Sequence, residues 1–129
     1  MSESSTVHIL GIAGSLRRGS FNAAALRAAE TLAPDGMHFE HADLGSIPLY
    51  TEDLKQQGYP PPVEELRRRV AAADGVLIAT PEYNYSVPGV LKNAIDWVSR
   101  PPQPPFDGKP VALMSASPSI LGAARAQYH

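Results

Sequence analysis

Four short apolar runs alternate along the chain with segments of helical periodicity, and that alternation leaves few folds open. The first run is His8-Ile9-Leu10-Gly11-Ile12-Ala13-Gly14, between a polar tail and a Gly/Ser/Arg segment, and it reads as a strand buried on both faces. Residues 21–32 carry Leu26, Ala29 and Leu32 on one stripe, with Ser20 placed to cap them and Pro34 and Gly36 to stop them, which predicts a helix. Weak alternation over 37–42 gives a second, more exposed strand. Residues 75–80, Gly-Val-Leu-Ile-Ala-Thr, form the clearest strand in the chain. Further helices are predicted over 63–73, where Val63, Leu66 and Val70 share a face, and over 88–99. A fourth strand covers 109–116, and a fourth helix begins at Pro118 and runs to His129. This βαβαβαβα order implies a parallel sheet with right-handed crossovers and helices on both faces.

Between residues 43 and 62 no periodicity persists, because Pro48, Gly58 and Pro60-Pro61-Pro62 interrupt it. A stretch of about 20 irregular residues inside a compact domain counts either against the assignment of elements or in favour of a functional loop; a loop is preferred, with a helical turn at 52–56. With 129 residues there is room for one real core, so 1–129 is read as a single domain.

Hydrophobic residues at 43% and charged residues at 19% exclude both a disordered polar chain and a membrane protein. The net charge is -2, and Arg67-Arg68-Arg69 is most simply the solvated face of a helix, so no nucleic-acid partner is expected. The polar start Met1-Ser2-Glu3-Ser4-Ser5-Thr6 lacks the features of a signal sequence, and no apolar run approaches about 18 residues. A cytoplasmic protein without a membrane partner is the expectation. The chain has no cysteine, which removes thiol nucleophiles, redox pairs and thiolate-held clusters. Any redox chemistry must then belong to a bound cofactor. His38 and His41 point to opposite faces if they lie in a strand and lack a third ligand, so no metal site is assigned. No Ser/His/Asp set or GxSxG elbow is present.

In an open parallel sheet, ligands bind beyond the carboxyl ends of the strands. Three loops leave strand ends here. The first, Gly14-Ser15-Leu16-Arg17-Arg18-Gly19-Ser20-Phe21-Asn22, brings hydroxyls, a guanidinium, an amide and backbone N–H groups to a helix N-terminus, the ingredients of an anion site. Gly14 and Gly19 have Walker A spacing, but Ser20-Phe21 stands where Lys-Ser/Thr is needed, and GxGxxG is absent. A single terminal phosphate suits the loop better; an ordinary polar turn capped by Ser20 would also account for it. The second loop, residues 80–89, is stiffened by Pro81 and Pro88, and its Tyr83, Asn84 and Tyr85 suit a planar heteroaromatic ligand. Its alternative is a helix start with Ser86 as cap and Pro88 near N1. The third loop, Ser115-Ala116-Ser117-Pro118-Ser119, is either part of the same site or a Ser-Pro helix start.

The first loop, the segment 81–97 (Pro-Glu-Tyr-Asn-Tyr-Ser-Val-Pro-Gly-Val-Leu-Lys-Asn-Ala-Ile-Asp-Trp) and Gly108-Lys109-Pro110-Val111-Ala112 resemble the NADPH-dependent FMN reductase family, which includes quinone, chromate and azo-dye reductases. The resemblance covers essentially the whole chain. It implies a flavodoxin-like α/β three-layer sandwich with a parallel sheet, in which Ser15, Arg17, Ser20 and Asn22 hold the FMN phosphate with Phe21 beside them. It further implies that Pro81, Glu82, Tyr83, Asn84 and Tyr85 bind the ring, with Ser117 near its far edge. The implied activity is ping-pong: NAD(P)H, the co-substrate, gives hydride to FMN, which then reduces a quinone, flavin, azo compound or metal oxyanion. No protein acid or base is assigned a catalytic role. The alternatives are an electron-carrier flavodoxin and an inactive truncated form. A homodimer or homotetramer is implied, and the apolar stripe over 88–99 with Trp97 is expected to serve it. Family members carry a glycine-rich turn after the fourth strand, where this chain reads Ser117-Pro118-Ser119-Ile120-Leu121-Gly122-Ala123. They also continue through a longer fourth helix, a fifth strand and a last helix. The expectation is therefore a C-terminally incomplete fold whose fourth strand is an exposed apolar edge.

Overall fold

The structure, a computed structural model, describes residues 5–129; most of the polar start read above lies outside them. Its elements are β1 (Val7–Ala13), α1 (Phe21–Thr31), β2 (Met37–Ala42), α2 (Glu52–Gln56), α3 (Pro61–Ala72), β3 (Gly75–Ala79), α4 (Gly89–Val98), β4 (Val111–Met114) and α5 (Ala124–Tyr128). The strands form one parallel sheet in the order β2-β1-β3-β4. From β1 the chain crosses outward to β2, then returns past β1 to β3. The crossover direction therefore reverses between β1 and β3, and a crevice opens there at the carboxyl ends of the strands.

Alternation along the strands decides what each face buries. Leu10 and Ile12 of β1 and Val76 and Ile78 of β3 point to one side, where they meet Leu66 and Val70 of α3 and Leu91, Ala94 and Val98 of α4. On the other side α1 lays Leu26, 2% exposed, over β1 at Gly11. Strand β4 is the edge of the sheet, with Val111 and Leu113 about half exposed, as its sequence leads one to expect.

Most boundaries agree with the sequence reading within two residues, including the turn α2, which Thr51 caps through a 3.1 Å bond from Leu54 N–H. Helix α3 takes in Pro61 and Pro62, since proline suits a first turn whose N–H groups have no helical acceptor.

Four expectations are corrected. The helix expected from Pro118 begins only at Ala124, because Gly122 and Ala123 turn into the left-handed region (φ 56 and 64) and Ser115 Oγ donates to Gly122 O. Strand β4 stops at Met114, because Ser115 and Ala116 leave the ladder for side-chain partners. Arg67 is not on a solvated face: its guanidinium donates to the Trp97, Val98 and Arg100 carbonyls at 3.0, 2.8 and 3.3 Å and so closes the C-terminus of α4. Arg69 is likewise engaged, with Glu40 and with His41 O. Finally, Trp97 is fully buried and unavailable to any partner. Its Nε1 donates to Pro48 O at 2.7 Å, Asn93 donates to the same carbonyl, and Tyr50 packs edge-on against the indole at 4.9 Å. The irregular stretch 43–60 is thus held down by α4.

Candidate functional site

The three loops identified in the sequence meet over the crevice between β1 and β3. Gly14, at the end of β1, passes so close to Thr80 at the end of β3 that a Cβ would fall 2.6 Å from Thr80 Oγ1 and 3.2 Å from Thr80 Cα. Only glycine lets the two strand ends close in this way.

Beyond Gly14 the first loop delivers the chain to α1. Ser20 is buried in extended conformation and its Oγ accepts the Ala23 N–H at 3.1 Å, a regular N-cap. That bond uses a lone pair and leaves the hydroxyl hydrogen uncommitted among the described residues. The N–H groups of Phe21 and Asn22, in the first turn, also lack acceptors among the described residues. Arg17 is exposed, with its guanidinium 5.9 Å from the Phe21 ring centroid and no carboxylate partner among the described residues. A helix N-terminus with free donors, a hydroxyl and an unpaired cation favours an anion.

The Asn22 side chain is engaged with the third loop. It is 3% exposed, its Oδ1 accepts the Ala116 N–H at 2.8 Å, and its Nδ2 donates to Ala116 O at 3.2 Å. The amide thereby staples the third loop to the first. Ser117 follows Ala116, and its Oγ accepts the Ser119 N–H at 3.1 Å.

The second loop closes on itself. Tyr83 and Ser86 exchange two backbone hydrogen bonds of 3.0 Å across a two-residue turn, in which Asn84 and Tyr85 both have positive φ (49 and 72). Ser86 does not cap α4; its Oγ contacts His129 Nδ1 at 2.8 Å. Glu82 turns away toward α5, where its carboxylate meets Arg125 at 2.8 Å and accepts the Ala126 N–H at 3.1 Å. Burial opposes ionisation of Glu82, but the Arg125 guanidinium and the Ala126 N–H outweigh it and hold the carboxyl below its ordinary range.

Between the loops lies a cleft of about 250 Å³ lined by Ser15, Arg17, Ser20, Phe21, Asn22, Pro81, Glu82, Tyr83, Ala116, Ser117 and Pro118. Nine of the eleven residues named from the sequence are in that wall. Asn84 and Tyr85 are not, since they form the tip of the turn. Sequence reasoning did not single out Ala116, Thr80 or Arg125. Only Thr80 carried a signal, as the last residue of the strongest strand. His41 pairs with Glu30 at 2.7 Å and His38 stacks on His8, both away from the cleft.

A family profile described as NADPH-dependent FMN reductase matches residues 7–129. The NAD(P)H-dependent FMN reductase of Pseudomonas aeruginosa is 59% identical over 126 residues, which are 98% of this chain and 68% of that protein. The quinone reductase of Escherichia coli is 48% identical over 128 residues, with the same two coverages. Among solved structures, the flavoenzyme NAD(P)H:(acceptor) oxidoreductase FerB from Paracoccus denitrificans superposes with a TM-score of 0.89 at 40% identity, covering 95% of this chain and 68% of that one. The chain thus spans about two thirds of the length of the proteins it matches.

Proposed function

The chain belongs to the NADPH-dependent FMN reductase family, and from that premise we propose that the cleft holds FMN and that the protein is an NAD(P)H-dependent reductase of small acceptors. The observation that carries this reading is the convergence of a free helix N-terminus, an uncommitted Ser20 hydroxyl and Arg17 on a cleft whose other wall is Pro81, Glu82 and Tyr83. In this reading Ser15, Arg17, Ser20 and the first-turn N–H groups hold the phosphate. The second loop, with Ser117, borders the ring. Asn22 fixes the third loop against the first and so shapes the site from behind.

When bound, FMN supplies hydride acceptance from NAD(P)H and then electron delivery to a quinone, flavin, azo compound or metal oxyanion, so the two substrates exchange in turn. What the protein adds is orientation: Gly14 and Thr80 bring the loops together, and the prolines of the second loop limit its movement. The reading extends to a homodimer or homotetramer in one FMN-binding domain. Its support is the exposure of Leu16, Ile120 and Leu121 on the loops beside the cleft and of Phe21 at the start of α1. Among the described residues no helix is long and apolar enough to cross a membrane; a cytoplasmic location is proposed with the rest.

The test is spectroscopic. The purified protein, reconstituted with FMN if necessary, shows a bound-flavin spectrum that anaerobic NADPH bleaches and a quinone restores. Release of FAD, or no flavin uptake, refutes the cofactor assignment. A bound flavin that NADPH leaves oxidised would point instead to an electron carrier.

A further inference from the structure

We propose that Arg125 is a positioning residue of the flavin site, which holds the second loop in a strained turn by clasping Glu82 and Tyr85 together. The inference rests on the FMN reading above, and three observations support it.

The first is strain. A two-residue turn with both central residues at positive φ suits Asn or Gly, and Asn84 fits that requirement. Tyr85, at φ 72, does not, because its Cβ crowds the following carbonyl. Tyr85 is 65% exposed, so burial does little to hold it there. What it has is the Arg125 guanidinium 3.6 Å over its ring.

The second is saturation of Glu82. Its Oε2 receives Arg125 Nε and Nη2 at 2.8 Å, and its Oε1 receives the Ala126 N–H. The carboxylate, 12% exposed, has both oxygens committed to α5. The side chain therefore acts as a tether for the loop backbone between Pro81 and Tyr83. The third loop joins the same clasp, because Gln127 donates to Ser115 Oγ at 2.6 Å.

The third is a slight hold on the core. None of the residues in the main hydrophobic cluster comes from α5, which buries only Ala126. Releasing Arg125 should therefore leave the sheet and its helices folded while the second loop changes shape. Backbone strain kept at a ligand site by surrounding contacts belongs to the site's geometry rather than to fold stability.

The test compares Arg125→Gln, Arg125→Lys, Tyr85→Gly and Arg125→Gln/Tyr85→Gly in the full chain. Four quantities are read: FMN affinity, the visible circular dichroism and midpoint potential of bound flavin, the flavin-free melting temperature, and amide exchange at Tyr83 and Ser86. Arg125→Gln is expected to weaken FMN about tenfold, as removal of an outer partner that orients a binding group does, and to alter the dichroism and potential. The flavin-free melting temperature should stay in place. Arg125→Lys, which keeps the charge but loses the fork and the flat stacking face, should recover only part of the affinity. In the Tyr85→Gly background, where no strain remains to be held, Arg125→Gln should cost less. Unchanged affinity, dichroism and potential in Arg125→Gln would overturn the proposal. So would an equal loss in both backgrounds, or a loss that follows the melting temperature. If the unaltered protein takes up no FMN, the flavin reading fails by itself. Amide exchange then decides the clasp, with faster exchange in Arg125→Gln supporting it and unchanged exchange overturning it.

Discussion

Replacing Asn22 with alanine separates the phosphate-binding role that the family resemblance implies from the stapling role that the structure shows. As a phosphate ligand, Asn22 would affect only FMN binding. As the staple seen here, it makes two bonds to Ala116 from a side chain 3% exposed. Each such bond contributes about 0.5–1.5 kcal/mol, and each partner left unpaired away from water costs about 1–3 kcal/mol. Ala116 is only partly buried, so water can recover some of that loss. Asn22→Ala should therefore destabilise the flavin-free protein by about 2–3 kcal/mol, read as a lower urea midpoint at constant slope. FMN affinity should fall as well, because Ser117 is no longer held. Asn22→Asp keeps an acceptor for the Ala116 N–H but sets a carboxylate against Ala116 O and beside the phosphate. It should bind FMN no better than Asn22→Ala. If Asn22→Ala leaves the flavin-free protein as stable as before while FMN binding weakens, the staple contributes nothing and Asn22 is a ligand only.

Three further outcomes are expected. Arg17→Ala should weaken FMN by about 1.5–3 kcal/mol, the range for a hydrogen bond to a charged group, and Arg18→Ala by less; equal losses in a titration would mean that neither arginine is the phosphate ligand. Trp97→Ala should cost about 3–5 kcal/mol, as large-to-small changes in a core do, without altering the oligomeric state by light scattering, since the indole is wholly interior. The folded-state pKa of Glu82 lies below its ordinary 4.5, so its tie to α5 is fully present above that pH and fades as pH falls from 4.5 through the lowered value. The difference in amide protection at Tyr83 and Ser86 between the unaltered protein and Glu82→Gln should accordingly be flat from neutrality to near 4.5 and shrink below it.

The parallel α/β class was written in the chain because its signals are local. A strand such as Gly75–Ala79 shows itself by five apolar residues in a row, and α1 by the spacing of Leu26 and its neighbours after a capping Ser20. The loops that line the cleft were legible for the same reason: in an open parallel sheet they must leave strand ends, and their hydroxyls, prolines and tyrosines mark them in the sequence. The order of the strands then brought nine of the eleven named residues into one cleft.

What the sequence could not show were bonds between residues distant along the chain. Asn22 and Ala116 are 94 residues apart, Trp97 and Pro48 are 49 apart, and Arg125 and Glu82 are 43 apart. Nothing in the neighbourhood of Asn22 distinguishes a ligand from a staple, and nothing near Arg67 distinguishes a solvated arginine from one closing the end of another helix. The same gap explains the late start of α5. Alanine-rich sequence from Pro118 onward favours a helix, but Ser115, Gly122 and the Glu82–Arg125 pair tie that segment to the third and second loops. Propensity and periodicity act over a turn or two of chain, whereas the partner of a buried polar group is chosen by which strand ends lie side by side, and only the assembled sheet decides that.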